Sequence, residues 1–271
     1  MKTKSAFYLL LLFGLGTTTS FKMVRNIPIQ IKEENIHYIV NGITYNGFVA
    51  YNENLKKKRP AILVVHEWWG LNDYTKMRAR QLAELGYIAM AVDLFGDGKN
   101  AANPKEAMDL TMPFYKDPQL AKSLLDAAIM KMGEYSQTDK DNIAAIGYCF
   151  GGAMILNAAK LGADFKGVVS FHGGLKGVPA KKELLKAKIF VCHGSSDKFV
   201  SENDVANFKH QLDSIGADYT FKIYPNATHA FTNPNATNIG KEFNMPIEYN
   251  AEADKESWSD MKTFFEMIFK K

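Results

Sequence analysis

The spacing of apolar residues changes repeatedly along the chain, and each change marks a predicted element. Residues 36–40 and 43–51 are strand-like and are joined by Asn41-Gly42, a pair suited to a two-residue hairpin turn. Residues 61–65 form a short unbroken apolar run, as a strand buried on both faces requires. Residues 74–85 place Met77, Leu82 and Leu85 at helical spacing and stop at Gly86. Further strands are predicted at 87–92, 143–146, 168–171, 189–192 and 219–224. Helices are predicted at 104–112 and 118–132, each with proline near its start, and at 153–161. Another spans 201–215, where Ser201 and Asp204 form a capping-box-like start, and an amphipathic helix over 254–269 closes the chain. Strands alternating with helices imply a mostly parallel, doubly wound α/β sheet, with the initial hairpin as its antiparallel edge. In such sheets ligands bind beyond the carboxyl ends of the strands, so strand ends are where chemistry is expected.

The first twenty residues follow a different pattern. Lys2 and Lys4 precede an apolar run over 6–15, and Thr17, Thr18, Thr19 and Ser20 follow. This is the layout of a secretory signal. Its apolar run is half the ~20 residues of a membrane-spanning helix. The expectation is an exported protein, periplasmic or secreted, with a signal over 1–20 and one domain over 21–271 that does not span a membrane. The net charge of +4 gives no case for nucleic acid, and two cysteines cannot make a disulfide framework.

The strongest chemical signal is Gly147-Tyr148-Cys149-Phe150-Gly151-Gly152, between the strand at 143–146 and the helix at 153–161. It has the form of a nucleophile elbow, in which a sharp strand-to-helix turn lifts the central residue above the sheet. The helix N-terminus favours a thiolate there. The alternative is a buried structural cysteine, but three surrounding glycines argue for a crowded turn. A nucleophile at an elbow needs an acid and then a histidine downstream. His210 falls inside the predicted helix 201–215, whereas His229 follows the strand at 219–224. Asp197, just past the strand at 189–192, is the candidate acid that orients the imidazole.

A fourth strand end reads His66-Glu67-Trp68-Trp69-Gly70. Its loop is expected to supply the Trp68 N–H to an oxyanion hole, with the Phe150 N–H as the second donor. Glu67 is placed to accept the thiol proton; a salt bridge to Arg78 or Arg80 is the alternative. His66, His172 and His193 also end strands, but no paired-histidine spacing supports a metal, and no cofactor is implied.

These pieces, together with Ala91-Val92-Asp93-Leu94-Phe95-Gly96, Gly194-Ser195-Ser196-Asp197 and His229-Ala230-Phe231, resemble the dienelactone hydrolase family of carboxymethylenebutenolidase-like enzymes. The resemblance implies an α/β-hydrolase fold with Cys149 as nucleophile, Asp197 and His229 as its partners, and Glu67 as modulating acid. It also implies a small ester or lactone as substrate. Trp69, Tyr148, His172, Phe231 and Asn233 are expected to line the pocket. Family members that open dienelactones carry an arginine four residues after the catalytic histidine, where this chain has Asn233, and another in the region of 99–116, where this chain has none. Lys99 or Lys105 would be the replacement cation. The rival reading is a ligand-binding protein on a hydrolase scaffold that does not turn its ligand over.

Overall fold

The structure is a computed structural model that describes residues 28–270; the signal expected at 1–20 lies outside them. Strands β1 (Ile31–Val40) and β2 (Ile43–Asn52) form the hairpin, paired in full register from Val40↔Ile43 to Ile31↔Asn52. Asn41 and Gly42 both have positive φ, 51° and 81°, which gives the turn the twist that such strands need. β1 begins five residues before the expected 36, because an edge strand tolerates the polar Lys32-Glu33-Glu34-Asn35 on its open side.

The remaining strands are β3 (Arg59–Val65), β4 (Ile88–Val92), β5 (Thr138–Tyr148), β6 (Gly167–Phe171), β7 (Lys188–Gly194) and β8 (Tyr219–Tyr224). Among the described residues they make one eight-stranded sheet in the order β1-β2-β4-β3-β5-β6-β7-β8. β2 meets β4 antiparallel, and β3 to β8 run parallel. All five residues of β4 and of β6 are buried, as expected of strands covered on both faces.

Helices α1 (Asp73–Glu84) and α7 (Ala251–Ile268) cover one face, with Leu82, Met261 and Phe265 in its core. Helices α2 (Pro104–Lys116), α3 (Pro118–Met132), α4 (Phe150–Lys160) and α5 (Glu202–Ser214) cover the other, through Phe114, Leu125, Met154 and Phe208. The capping box at Ser201 and Asp204 forms as the sequence suggests. α2 continues past the expected 112 because Pro113 lies on its exposed side while Thr111 and Phe114 anchor the turn inside. α6 (Ala236–Phe243) has no counterpart among the expected helices. It has no side-chain N-cap bond and contains Gly240, so it carries little local signal. Tertiary contact supports it: Gly240 sits where a Cβ would lie 2.5 Å from the Ile247 carbonyl oxygen, and Ala230, Ala236 and Ile247 make a small core of their own.

Candidate active site

The elbow is built from close backbone approach. β5 ends at Tyr148, α4 begins at Phe150, and Cys149 between them has φ 51° and ψ −113°. That is a costly conformation for a residue with a side chain, and it persists only where its surroundings enforce it. They do so here. A Cβ on Gly147 would lie 2.4 Å from the Gly151 backbone, and one on Gly151 would lie 2.4 Å from the Val65 carbonyl oxygen. The Cys149 N–H is held by the Phe171 carbonyl at 3.0 Å and by His172 Nδ1 at 3.1 Å.

The loop after β3 is tied to this turn. The Gly151 N–H donates to the His66 carbonyl (3.1 Å). The buried His66 ring pins the loop at two points: its Nδ1 faces the Glu67 carbonyl at 2.5 Å and its Nε2 accepts the Leu94 N–H at 3.2 Å. Burial holds His66 below its ordinary pKa, which keeps the ring neutral for both bonds. The Trp68 and Phe150 N–H groups therefore lie on adjoining segments, and among the described residues neither has an acceptor. Asp93 closes the β4 side by accepting the Phe95 and Gly96 N–H groups at 2.9 and 3.0 Å.

The acid and the histidine come from two loops stitched together beyond β7 and β8. The Ser195 N–H donates to the Tyr224 carbonyl and the Ser196 N–H to the Ala227 carbonyl. Asp197 Oδ2 stands 2.9 Å from His229 Nδ1, and its Oδ1 accepts the Phe199 N–H at 2.8 Å. The Asp197 carboxylate is fully shielded from solvent, at 0% exposure. Burial pushes it up, but the bonds from His229 and Phe199 outweigh that and leave it below its ordinary value. Burial would likewise push His229 down. The Cys149 side chain and then Asp197 reverse this, and the imidazole is held at about 10. Asp197 and His229 are thus paired, and Cys149 and His229 face the same cavity of about 310 Å³.

Glu67, Trp68 and Trp69 line this cavity with them. Glu67 makes no salt bridge to Arg78 or Arg80; those pair with Asp254 and Glu33. It accepts a 2.6 Å bond from Asn233 Nδ2 instead. Burial, only partly offset by Asn233, His229 and Arg78, raises its pKa from 4.5 to about 7. The folded protein therefore binds a proton that the unfolded chain has lost between these values. Stability from this group falls as pH rises through the window, by ~3 kcal/mol in all at ~1.4 kcal/mol per unit. Glu67→Gln cannot ionise. Its melting temperature relative to the unmutated protein should rise by several degrees between pH 4.5 and 8.5. A difference that stays constant across that range in calorimetry would show that Glu67 is not held this way.

Four expected pocket residues lie behind the cavity wall instead of lining it. Tyr148, His172 and Phe231 are wholly buried, and Asn233 is 4% exposed. His172, at φ 41°, turns its ring inward, where Nε2 meets Thr232 Oγ1 at 2.7 Å. Burial and the nearby His229 and Arg78 charges keep it neutral, as acceptance of the Cys149 N–H requires. Tyr148 and Phe231 pack against its ring. Asn233 is committed to Glu67 and to the Asn235 N–H. Lys99 and Lys105 are also absent from the wall, and pair with Asp97 and Asp109.

The far wall was not anticipated. It consists of Met108, Thr111, Met112 and Tyr115 on α2, with Phe199, Met245 and Ile247. Residues 108, 112 and 115 recur at helical spacing on a face other than that of the buried Phe114, a second apolar stripe legible in the sequence. No lysine or arginine is among the lining residues, and among the described residues no cluster of three His, Cys, Asp or Glu is arranged to hold a metal.

Comparison with known proteins agrees with the fold. A protein of Aquifex aeolicus named "Putative carboxymethylenebutenolidase" is 27% identical over 240 residues, which cover 87% of this chain and 98% of that protein. A dienelactone hydrolase-like promiscuous phosphotriesterase from metagenomic libraries superposes with a TM-score of 0.82 at 29% identity, covering 89% of this chain and 99% of its own. The structure titled m3DLH matches with the same TM-score at 31% identity. The sequence model of the dienelactone hydrolase family spans residues 45–269, and with this sheet and this elbow the chain belongs to that family of α/β-hydrolases.

Proposed function

We propose that the protein hydrolyses small, uncharged esters or lactones through a thioester on Cys149. The observation that carries this reading is the shared cavity of Cys149 and His229, with Asp197 2.9 Å behind the imidazole. His229 takes the thiol proton, and Asp197 fixes the ring and stabilises its charged form. The thiolate attacks the carbonyl carbon. The Trp68 and Phe150 N–H groups receive the developing oxyanion, a contribution of ~10²–10³ in rate for each such donor. Collapse releases the alcohol, protonated by His229. A water deprotonated by the same histidine then cleaves the thioester. Glu67, which lines the same cavity as the thiol and lies near its pKa at neutrality, modulates when the thiolate forms.

The preference for uncharged substrates follows from the wall. A carboxylate entering it would lose hydration and find no lysine or arginine among the lining residues, while the His229 imidazolium is already engaged by the Cys149 side chain and Asp197. The missing charge-assisted contact corresponds to roughly tenfold to a hundredfold in specificity. kcat/KM for para-nitrophenyl butyrate should therefore exceed that for the similarly sized mono-para-nitrophenyl succinate by about that factor. A preference for the succinate would show that a cation reaches the site, and turnover of neither would remove the hydrolase reading.

A further inference from the structure

Three polar side chains of the cavity wall are committed within the protein, whereas among the described residues the Trp68 and Trp69 indole N–H groups are not. The Thr111 hydroxyl donates to the Ala107 carbonyl of its own helix at 2.8 Å. Glu67 is held by Asn233, and His229 by Asp197. The Tyr115 phenol lines the same cavity, and among the described residues it has no hydrogen-bond partner.

Its side chain is 51% exposed and held on one side by an aromatic contact. Tyr115 sits in the last turn of α2, and its ring meets Phe150 edge-on at 5.9 Å and 76°. Its neighbour Phe114, buried, meets the same Phe150 ring at 5.4 Å, and Phe95 packs on both. The residue that brings its N–H to the site thus also anchors the end of α2. Topology sets the direction of approach. α2 follows β4, which lies beside β3, the strand that leads into Glu67 and Trp68. Asp197 and His229 follow β7 and β8, on the other side of β5. α2 therefore stands on the β3 side of the elbow, with Asp197 and His229 on the other, and Tyr115 shares the cavity with Cys149.

We infer that Tyr115 is a further catalytic residue, whose hydroxyl gives a third hydrogen bond to the substrate carbonyl oxygen as Cys149 attacks. This rests on the thioester reading above. As the S–C bond forms, the carbonyl π pair moves to oxygen and the thiol proton passes to His229. The phenol keeps its own proton and only donates a hydrogen bond. When the tetrahedral adduct collapses, the pair returns, the bond to the leaving oxygen breaks, and His229 protonates the alcohol. The protein around its half-exposed ring, and then the charge at Cys149, push the Tyr115 hydroxyl above its ordinary pKa, so it is a protonated donor at neutral pH. A third donor suits a cavity without lysine or arginine, because it stabilises the transition state without attracting a charged ground state.

Tyr115→Phe keeps the ring on Phe150 and removes one oxygen. With para-nitrophenyl butyrate, kcat should fall by about 10²-fold while KM stays within about twofold. Benzyl trifluoromethyl ketone, which adds to a thiolate to give a tetrahedral oxyanion, should lose affinity by a similar factor. An effect on packing alone would not move these two quantities together. An active wild type with an indifferent variant, or a variant that changes only KM and leaves the ketone unaffected, overturns this inference and spares the hydrolase reading. A wild type that neither hydrolyses the ester nor binds the ketone overturns both.

Discussion

Cys149→Ala should abolish ester hydrolysis, with kcat/KM reduced by at least ~10³-fold, and should leave the fold within ~1–2 kcal/mol of the unmutated protein. The small effect on stability has a structural reason. Alanine meets the same strain at φ 51° as cysteine does, and the contacts that impose it come from Gly147 and Gly151, which are untouched. The large effect on activity follows because no other side chain occupies the top of the elbow. A second consequence can be read on the histidine. Cys149 is the largest of the partners that raise His229 to about 10, so the imidazole pKa should drop markedly in this variant, as followed by NMR. Turnover close to normal, or a histidine that titrates unchanged, would detach Cys149 from the site.

Asp197→Asn is the second large effect. Asp197 Oδ1 accepts backbone N–H groups from Phe199 and Val200, and Oδ2 faces His229 Nδ1 at 2.9 Å. An asparagine that keeps the first set must direct its NH₂ group at Nδ1. The imidazole then carries its proton on Nε2 and cannot accept another from the thiol. A wrong tautomer with intact geometry costs on the order of 10⁴ in kcat in a serine triad. We expect a loss of ~10³–10⁴ in kcat here, with KM little changed. The shielded carboxylate also stabilises the imidazolium, so the lower arm of the pH–rate profile should shift as well. A loss below about tenfold would mean that the histidine is oriented by something else.

The legible parts of this site are those that a single stretch of sequence determines. A residue just past a parallel strand emerges at the carboxyl edge of the sheet whatever else happens. Cys149, Asp197, His229 and Glu67 could therefore be proposed from strand ends alone, and the structure gathers them at one edge. Which way a strand-end side chain then turns depends on its own φ and on what packs against it. His172 rotates inward at φ 41° to serve the Cys149 amide, and Asn233 turns to Glu67, 166 positions away. Neither partner is written in the local pattern. The same limit hid the role of the far wall: the apolar stripe of Met108, Met112 and Tyr115 does not itself say that α2 borders the cavity above the elbow. α6 was missed for an opposite reason: its segment has weak helix propensity, and its support comes from Ile247 and its neighbours.

The central claim is a covalent intermediate on one sulfur. Its most direct test is acid-quenched mass spectrometry of the unmutated protein during turnover of para-nitrophenyl butyrate. A butyryl mass on the peptide containing Cys149, absent from Cys149→Ala, is the predicted result. Turnover with no adduct on that peptide, or an adduct on a serine elsewhere, would contradict it.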